Sequence, residues 1–587
     1  MIRIFRHLRT KEWCFVIISV LFIVAQVWLD LRLPEYMTEI TELIQTEGSQ
    51  MSEIYSAGGK MLLCALGSLL TSVIVGYFAA QIAANLSKRL RSEIFEKVES
   101  FSMEEIGSFS TDSLITRSTN DITQIQMIVA MGLQMIVKAP IMAVMAIIKI
   151  QNKGTWQWSI LTAGAVIVLV ATILFIMFYA VPKFKRIQGL TDNLNRVARE
   201  NLTGLRVVRA YNAEAYQEKK FDAANEELTG TYLKAQRAMQ VMNPMMSLIM
   251  NGITLGIYWI GAYLIHAADA SEKLSIFSNM VVFSSYAMQV IMAFMMLTMI
   301  FIMLPRASVS ARRIEEVLDT KPKIVDGKTS PEETTLCGEV EFRHVSFKYP
   351  DADEYVLHDI NFKAHKGETV AFIGATGSGK STIVNLVARF YDATEGEVLV
   401  DGINVKDYRL KDLYNKLGYV PQKAVLFSGT VSSNVAFGDN GKQPAGEDEI
   451  AMAVRTAQSA DFVENLEGKY EGAVAQGGAN FSGGQKQRLS IARAICRKPE
   501  IYIFDDSFSA LDYKTDRALR SALKKETSGV TSLIVAQRIG TIKDADRIIV
   551  IDDGCAVGIG THDELMTSCE VYREIALSQL SKEELGA

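Results

Sequence analysis

The chain has 587 residues, too many for one domain at the usual ~100–200 residues each, and 49% of them are hydrophobic. Its 61 Lys and Arg against 66 Asp and Glu leave a net charge of −5, without the basic bias that a nucleic-acid partner needs. The six cysteines (Cys14, Cys64, Cys337, Cys496, Cys555, Cys569) show no CxxC pair and no metal-ligand spacing, so they read as free thiols, not a disulfide frame.

The average hides two unlike halves. Long apolar runs dominate before about residue 305, and ordinary globular proportions follow. The N-terminus is basic and then apolar, as in a secretory signal. No small-residue cleavage site follows it and further apolar runs do, so it is expected to remain as a first membrane helix. A bilayer core of roughly 30 Å takes about 20 helical residues. Six stretches qualify: Trp13–Trp28, Met61–Ala84, Ile125–Ile150, Trp158–Val181, Val241–Leu264 and Ile276–Leu304. The fourth and sixth carry no charge at all.

Basic residues orient these spans. Lys88, Arg89, Arg91, Lys97 and Arg117 follow the second, and a larger set from Lys183 to Lys220 follows the fourth. The Leu31–Lys60 connection is instead acidic (Glu35, Glu39, Glu42, Glu47, Glu53). Both termini and the two long connections are therefore expected in the cytoplasm. Those connections are helix-permissive and almost free of proline, and too long for simple turns. The spanning helices are expected to run on past the bilayer and reverse at tips near Ser108–Asp112 and Tyr211–Tyr216.

Two weaker features lie within the spans. The fifth and sixth hold eleven of the 25 methionines, among them Met288, Met292, Met295, Met296 and Met299. Such flexible thioethers suit either a surface accepting varied apolar ligands or lipid-facing filler. Lys138, two residues before Pro140, interrupts an apolar run. It reads either as a functional site or as a side chain snorkelling to the cytoplasmic interface.

From Val340 the pattern changes to short alternating runs, Val340–Phe342 and then Val345–Phe347, that look like strands. Glu368–Ile373 is a further β-rich run. It leads into Gly374, Ala375, Thr376, Gly377, Ser378, Gly379, Lys380, Ser381 and Thr382, a G-x-x-x-x-G-K-[ST] phosphate loop before an expected helix (Thr382–Phe390). The glycines let the backbone N–H groups curl around phosphates, and the helix adds the positive end of its dipole. Lys380 supplies charge to the β- and γ-phosphates and Ser381 a Mg²⁺ ligand. Ile501–Phe504 reads as a buried strand whose end presents Asp505 as a second Mg²⁺ ligand. Phe481, Ser482, Gly483, Gly484 and Gln485 precede another helix and make a second anion-binding end.

These elements, in this order, resemble the ATP-binding-cassette (ABC) family, whose signature reads LSGGQ. The resemblance covers essentially the whole chain and has the layout of the family's type IV exporters. It implies an all-α transmembrane domain of six helices (1–320), a linker (321–337) and an α/β P-loop nucleotide-binding domain (338–587). It implies ATP and Mg²⁺ as cofactors, with Tyr349 stacking on adenine and Gln422 contacting Mg²⁺ beside Ser381 and Asp505. Ser509–Asp512 matches the loop that crosses between paired motors. Each ATP would be held by the phosphate loop of one motor and by Ser482, Gly483, Gly484 and Gln485 of the other. Expected partners are a second half-transporter, a hydrophobic small molecule or lipid as cargo, and membrane lipid. Expected placement is a multi-pass membrane protein, most simply of a bacterial cell membrane. A cytosolic member acting on DNA or ribosomes is excluded by the spans.

Three positions depart from the family pattern. Asp506 stands where glutamate usually activates the attacking water, Gln537 where histidine usually meets the γ-phosphate, and Gln476 where exporters usually have glutamate. Loss of one methylene shortens the reach of Asp506 by on the order of 1 Å, and an amide cannot carry the charge of an imidazolium. The pattern therefore resembles heterodimeric, often multidrug, exporters. This chain would hydrolyse ATP poorly at its own site while its signature completes the partner's. A homodimer and an ATP-gated regulator or channel are the alternatives.

Overall fold

The computed structural model describes residues 2–46, 49–153, 156–269, 272–329 and 336–579. Glu47 and the 330–335 stretch of the expected linker lie outside them. The chain divides into two compact units, Met1–Glu99 with Asp112–Thr320 and Ser100–Thr111 with Lys321–Ala587. The second unit thus takes in Ser100–Thr111, which a linear division into 1–320, 321–337 and 338–587 assigns to the first domain.

The first unit is helical, and six of its helices are long and apolar enough to cross a membrane. The expected apolar stretches lie in Thr10–Gln45, Met51–Glu99, Ile122–Lys153, Trp156–Thr203, Met242–Ala267 and Lys273–Asp319. Large apolar side chains such as Leu63, Phe178 and Trp259 stay exposed on them, as helices facing lipid require. At 49 residues, Met51–Glu99 is about 70 Å long, more than twice a hydrocarbon core. The spans do run on beyond the bilayer.

Their reversals are broader than expected from sequence. After Glu99 a short helix, Met103–Phe109, is capped by Ser102, whose hydroxyl accepts from the Glu104 N–H while Glu105 accepts from the Ser102 N–H. Ser110 turns the chain with φ +57°. This tip starts well before Ser108 because a capping box has formed there. The second reversal begins at Gly204, passes through Leu205–Ala210 and turns at Asn212 with φ +48°.

Lys138 is paired with a carboxylate of another helix. Its ammonium pairs with Asp30 of the first span at 3.1 Å, and Asp30 also accepts from Ser68 of the second. A charge within an apolar helix is stabilised by such a partner. The methionine stripe is split: Met280 is buried against the fifth span, whereas Met292 and Met299 are exposed.

In the second unit, β1 (Val340–Phe347), β2 (Leu357–Ala364), β4 (Glu395–Val400) and β5 (Ile403–Asn404) form an antiparallel sheet in the order β2-β1-β4-β5. The two runs read as separate strands are one strand, β1. A register shift between Phe342 and Val345, with His344 at φ +50°, breaks its alternation.

The larger sheet contains β3 (Thr369–Ile373), β6 (Leu417–Val420), β9 (Ile501–Asp505), β10 (Thr531–Val535), β11 (Arg547–Asp552) and β12 (Cys555–Gly560). Its order is β12-β11-β3-β10-β9-β6, parallel throughout except for β12. β7 (Gly429–Thr430) and β8 (Ala473–Val474) pair separately. β3, β9 and β10 are Val/Ile/Phe-rich and covered on both faces, which explains their unbroken apolar runs.

Candidate functional site

Parallel pairing decides where the site lies. Val535 of β10 is level with Phe372 of β3 on one side and Asp505 of β9 on the other. The residues just beyond these three neighbouring strands are Gly374, Gln537 and Asp506. One sheet edge therefore receives the phosphate loop, the acidic pair and the glutamine, at the carboxyl ends of strands where α/β sheets bind ligands.

The phosphate loop turns sharply out of β3. A Cβ on Gly374 would sit 1.9 Å from the Ile551 carbonyl oxygen, and one on Gly379 (φ +96°) would meet Leu357 at 2.6 Å. Gly377 also has positive φ (+88°), but faces open space. The helix Lys380–Val387 then starts at Lys380 itself, two residues before the expected Thr382. Lys380 folds back over the loop, donating to the Gly374 and Ala375 carbonyls at 3.0 and 2.6 Å and to Ser378 Oγ at 3.3 Å. Thr376 lies within the loop and Thr382 in the first helical turn, where its hydroxyl is 3.0 Å from the Tyr349 hydroxyl. Tyr349 stands edge-on to Phe347 and Tyr391.

Ser381 Oγ donates to Asp505 Oδ1 at 2.6 Å. A hydroxyl and a carboxylate this close are the hard oxygen donors that suit Mg²⁺. A Mg²⁺ held by Ser381 and Asp505 would supply charge neutralisation to bound phosphates. Gln422, grouped with them by resemblance, is turned instead to Asp506, donating to its Oδ2 at 3.3 Å. Gln537 donates to the same oxygen at 2.8 Å. Asp506 itself is at φ +44°, with its N–H on the Val535 carbonyl. Aspartate is among the few residues that accept this conformation readily.

Burial pushes both carboxyls above the ordinary carboxylate range, opposed by Ser381 at Asp505 and by Gln422 at Asp506. Burial likewise lowers the Lys380 ammonium, against the pull of Asp506 and Asp505. Each carboxyl therefore holds its proton to higher pH in the fold than in the unfolded chain. The cost of the buried charges is present above the folded values and is relieved as pH falls toward the ordinary 3.8. A divalent cation needs the ionised forms. The rise in unfolding midpoint on adding Mg²⁺ and ATP is expected to be larger near about pH 7.5 than near about pH 5.5. Thermal unfolding at the two pH values checks this.

The signature segment is built as a helix N-terminus. Ser482 caps Gly483–Cys496, accepting from the Gln485 N–H, while Gln485 Oε1 accepts from the Ser482 N–H at 2.9 Å. Phe481, at the position of the family leucine, is buried against Phe462. Gly484 packs beside Ala510, and Gly483 has open space around it. Among the described residues no hydrogen bond joins Ser482–Gln485 to the phosphate loop. Gln476 sits in an exposed turn before the segment.

With the geometry in hand, comparison with known proteins places the chain. The ABC transporter transmembrane region matches residues 16–308 and the ABC transporter domain residues 357–509. An ABC transporter ATP-binding protein of Mycobacterium tuberculosis is 42% identical over 78% of this chain and 78% of its own length. The chain belongs to the ABC transporter family. This transporter is also 35% identical to an ATP-dependent lipid A-core flippase of Pseudomonas fluorescens, over 67% of this chain and 63% of the flippase. A bacterial Atm1-family ABC exporter solved with ATP bound shares the fold at TM-score 0.79 and 25% identity, covering 97% of this chain and 100% of that one. The transporter is thus an integral, multi-pass membrane protein of exporter type with an ATPase domain. Sequence reasoning did not find the double amide contact on Asp506, since no spacing rule links Gln422, Asp506 and Gln537.

Proposed function

We propose that this transporter is one half of an ATP-driven exporter of hydrophobic or amphipathic compounds, paired with a second, different half-transporter. In this reading its own phosphate loop, with Ser381 and Asp505 holding Mg²⁺, binds ATP durably but hydrolyses it slowly. Its Ser482–Gln485 segment completes the partner's faster site. The observation that carries the reading is Asp506. This short carboxylate has one oxygen shared by two amides, beside a fully formed phosphate loop. A water-activating base needs free, well-aimed oxygen, and Gln537 brings no positive charge to the developing anion.

Similarity to ATP-dependent lipid A-core flippases favours an amphipathic lipid over a polar solute as cargo. The alternative reading is a homodimer of this chain that moves lipid. Uptake of a labelled lipid into inverted vesicles separates the two. The proposal expects ATP-dependent uptake only when a second half-transporter with glutamate and histidine at the positions of Asp506 and Gln537 is co-expressed. Rapid uptake by this chain alone would leave the homodimer.

A further inference from the structure

We infer that Gln579, the last residue of the helix Glu570–Gln579, is a positioning residue for the hydrolytic loop, clamping the backbone on both sides of Arg538. Its Oε1 accepts from the Ile539 N–H at 2.9 Å, and its Nε2 donates to the Gln537 carbonyl at 2.8 Å. One amide thus grips a tripeptide whose first residue reaches Asp506 through its side chain at 2.8 Å.

The grip follows from helix geometry. Tyr572 and Ala576 are fully buried against Ile539, Ile542, Leu565 and Cys569. Positions 572, 576 and 579 are four and three residues apart, so they lie on one helical face. Burying the first two aims the third at the loop. The loop in turn needs an outside partner. Ile539 opens the short helix Ile539–Ile542, and Arg538 at its N-cap gives no side-chain bond to the free N–H groups. Gln579 serves as that cap from another element.

Other groups hold other parts of the loop. Arg520 donates to the Gly540 carbonyl at 2.7 Å, and Arg538 reaches the Ser509 carbonyl at 3.3 Å. The Gln537 carbonyl and the Ile539 N–H are held by Gln579. The C-terminal helix is thereby linked through two side-chain amides to the carboxylate beside the phosphate loop. The link lies within this chain and is independent of whether the partner is a second copy or a different protein.

The test uses the full-length chain with Gln579→Ala and Gln579→Glu. Glutamate keeps the length, the packing methylenes and the acceptor for Ile539, but cannot donate to the Gln537 carbonyl. Both variants are expected to speed amide exchange within 537–540 by about tenfold, with exchange in β3 and β10 unchanged. Turnover, followed with radiolabelled ATP so that a slow site is also read, should show kcat raised about fivefold, because the Gln537 amide then holds Asp506 Oδ2 less firmly. KM should stay within about twofold, because Tyr349 and the phosphate loop are untouched. In a Gln537→Ala background the Gln579→Ala effect on kcat should vanish, since the clamp acts through that residue. Unchanged exchange at 537–540, an unchanged or lowered kcat, or a kcat gain of equal size in the Gln537→Ala background would overturn the inference. Parent-like behaviour of Gln579→Glu would also overturn it, by reducing the contact to packing.

Discussion

Exchanging Asp506 for glutamate should raise ATP turnover of the purified chain by roughly tenfold or more, and Asp506→Glu with Gln537→His by roughly 100-fold. The added methylene moves the carboxylate outward by on the order of 1 Å, and a misplacement of that size can cost about 100-fold. Release from the shared amide contact contributes as well, because both Gln537 and Gln422 donate to the same oxygen, Oδ2. Histidine at 537 ends one of those bonds and supplies a group able to bear positive charge. A cost opposes the gain. The backbone of residue 506 is at φ +44°, where glutamate is less at ease than aspartate, by up to about 1 kcal/mol. The double variant is therefore expected to turn over faster while melting slightly earlier. Steady-state phosphate release and thermal unfolding, measured together, check both halves. Rapid turnover by the unmodified chain would sink the division of labour.

How far the sequence could be read depended on the range over which each constraint acts. The phosphate loop was legible because its geometry excludes side chains at fixed spacing. At Gly374 a Cβ would strike the Ile551 carbonyl at 1.9 Å, and at Gly379 it would strike Leu357. The spans were legible because lipid demands apolar length, although their tips were not. Ser102 and Glu105 form a capping box that starts the first reversal early, and such a box competes with helix continuation by only about 1 kcal/mol. Contacts between distant residues left no local trace. Lys138 and Asp30 lie on different spans, so the sequence showed a lone charge where the fold shows an ion pair. The same holds for Gln579, an unremarked glutamine in an amphipathic helix until its amide is seen on Gln537 and Ile539. The bulge that joined two supposed strands into β1 was hidden because it breaks the period-two pattern used to find strands.

The signature segment offers the other large effect, one that separates what this chain needs from what its partner needs. Gly483 has open space around it, so its own fold does not require glycine there. Aspartate at that position would even favour the helix Gly483–Cys496 by placing a negative charge at its N-terminus, worth about 0.3–1 kcal/mol. The same charge would repel a phosphate brought to that helix end by another chain. Gly483→Asp is therefore expected to leave the unfolding midpoint of this chain unchanged or raised, and to cut turnover of the two-chain complex by roughly 100-fold or more. Lys380→Ala removes the ammonium that lies over this chain's own phosphate loop. If that site is the slow one, the substitution should lower turnover of the complex by less than about tenfold, since the fast site keeps its own lysine. Two equivalent sites would instead make the substitutions equally damaging. Phosphate release by the complex, with each substitution carried by this chain alone, distinguishes the cases: the asymmetry requires Gly483→Asp to be far the more harmful.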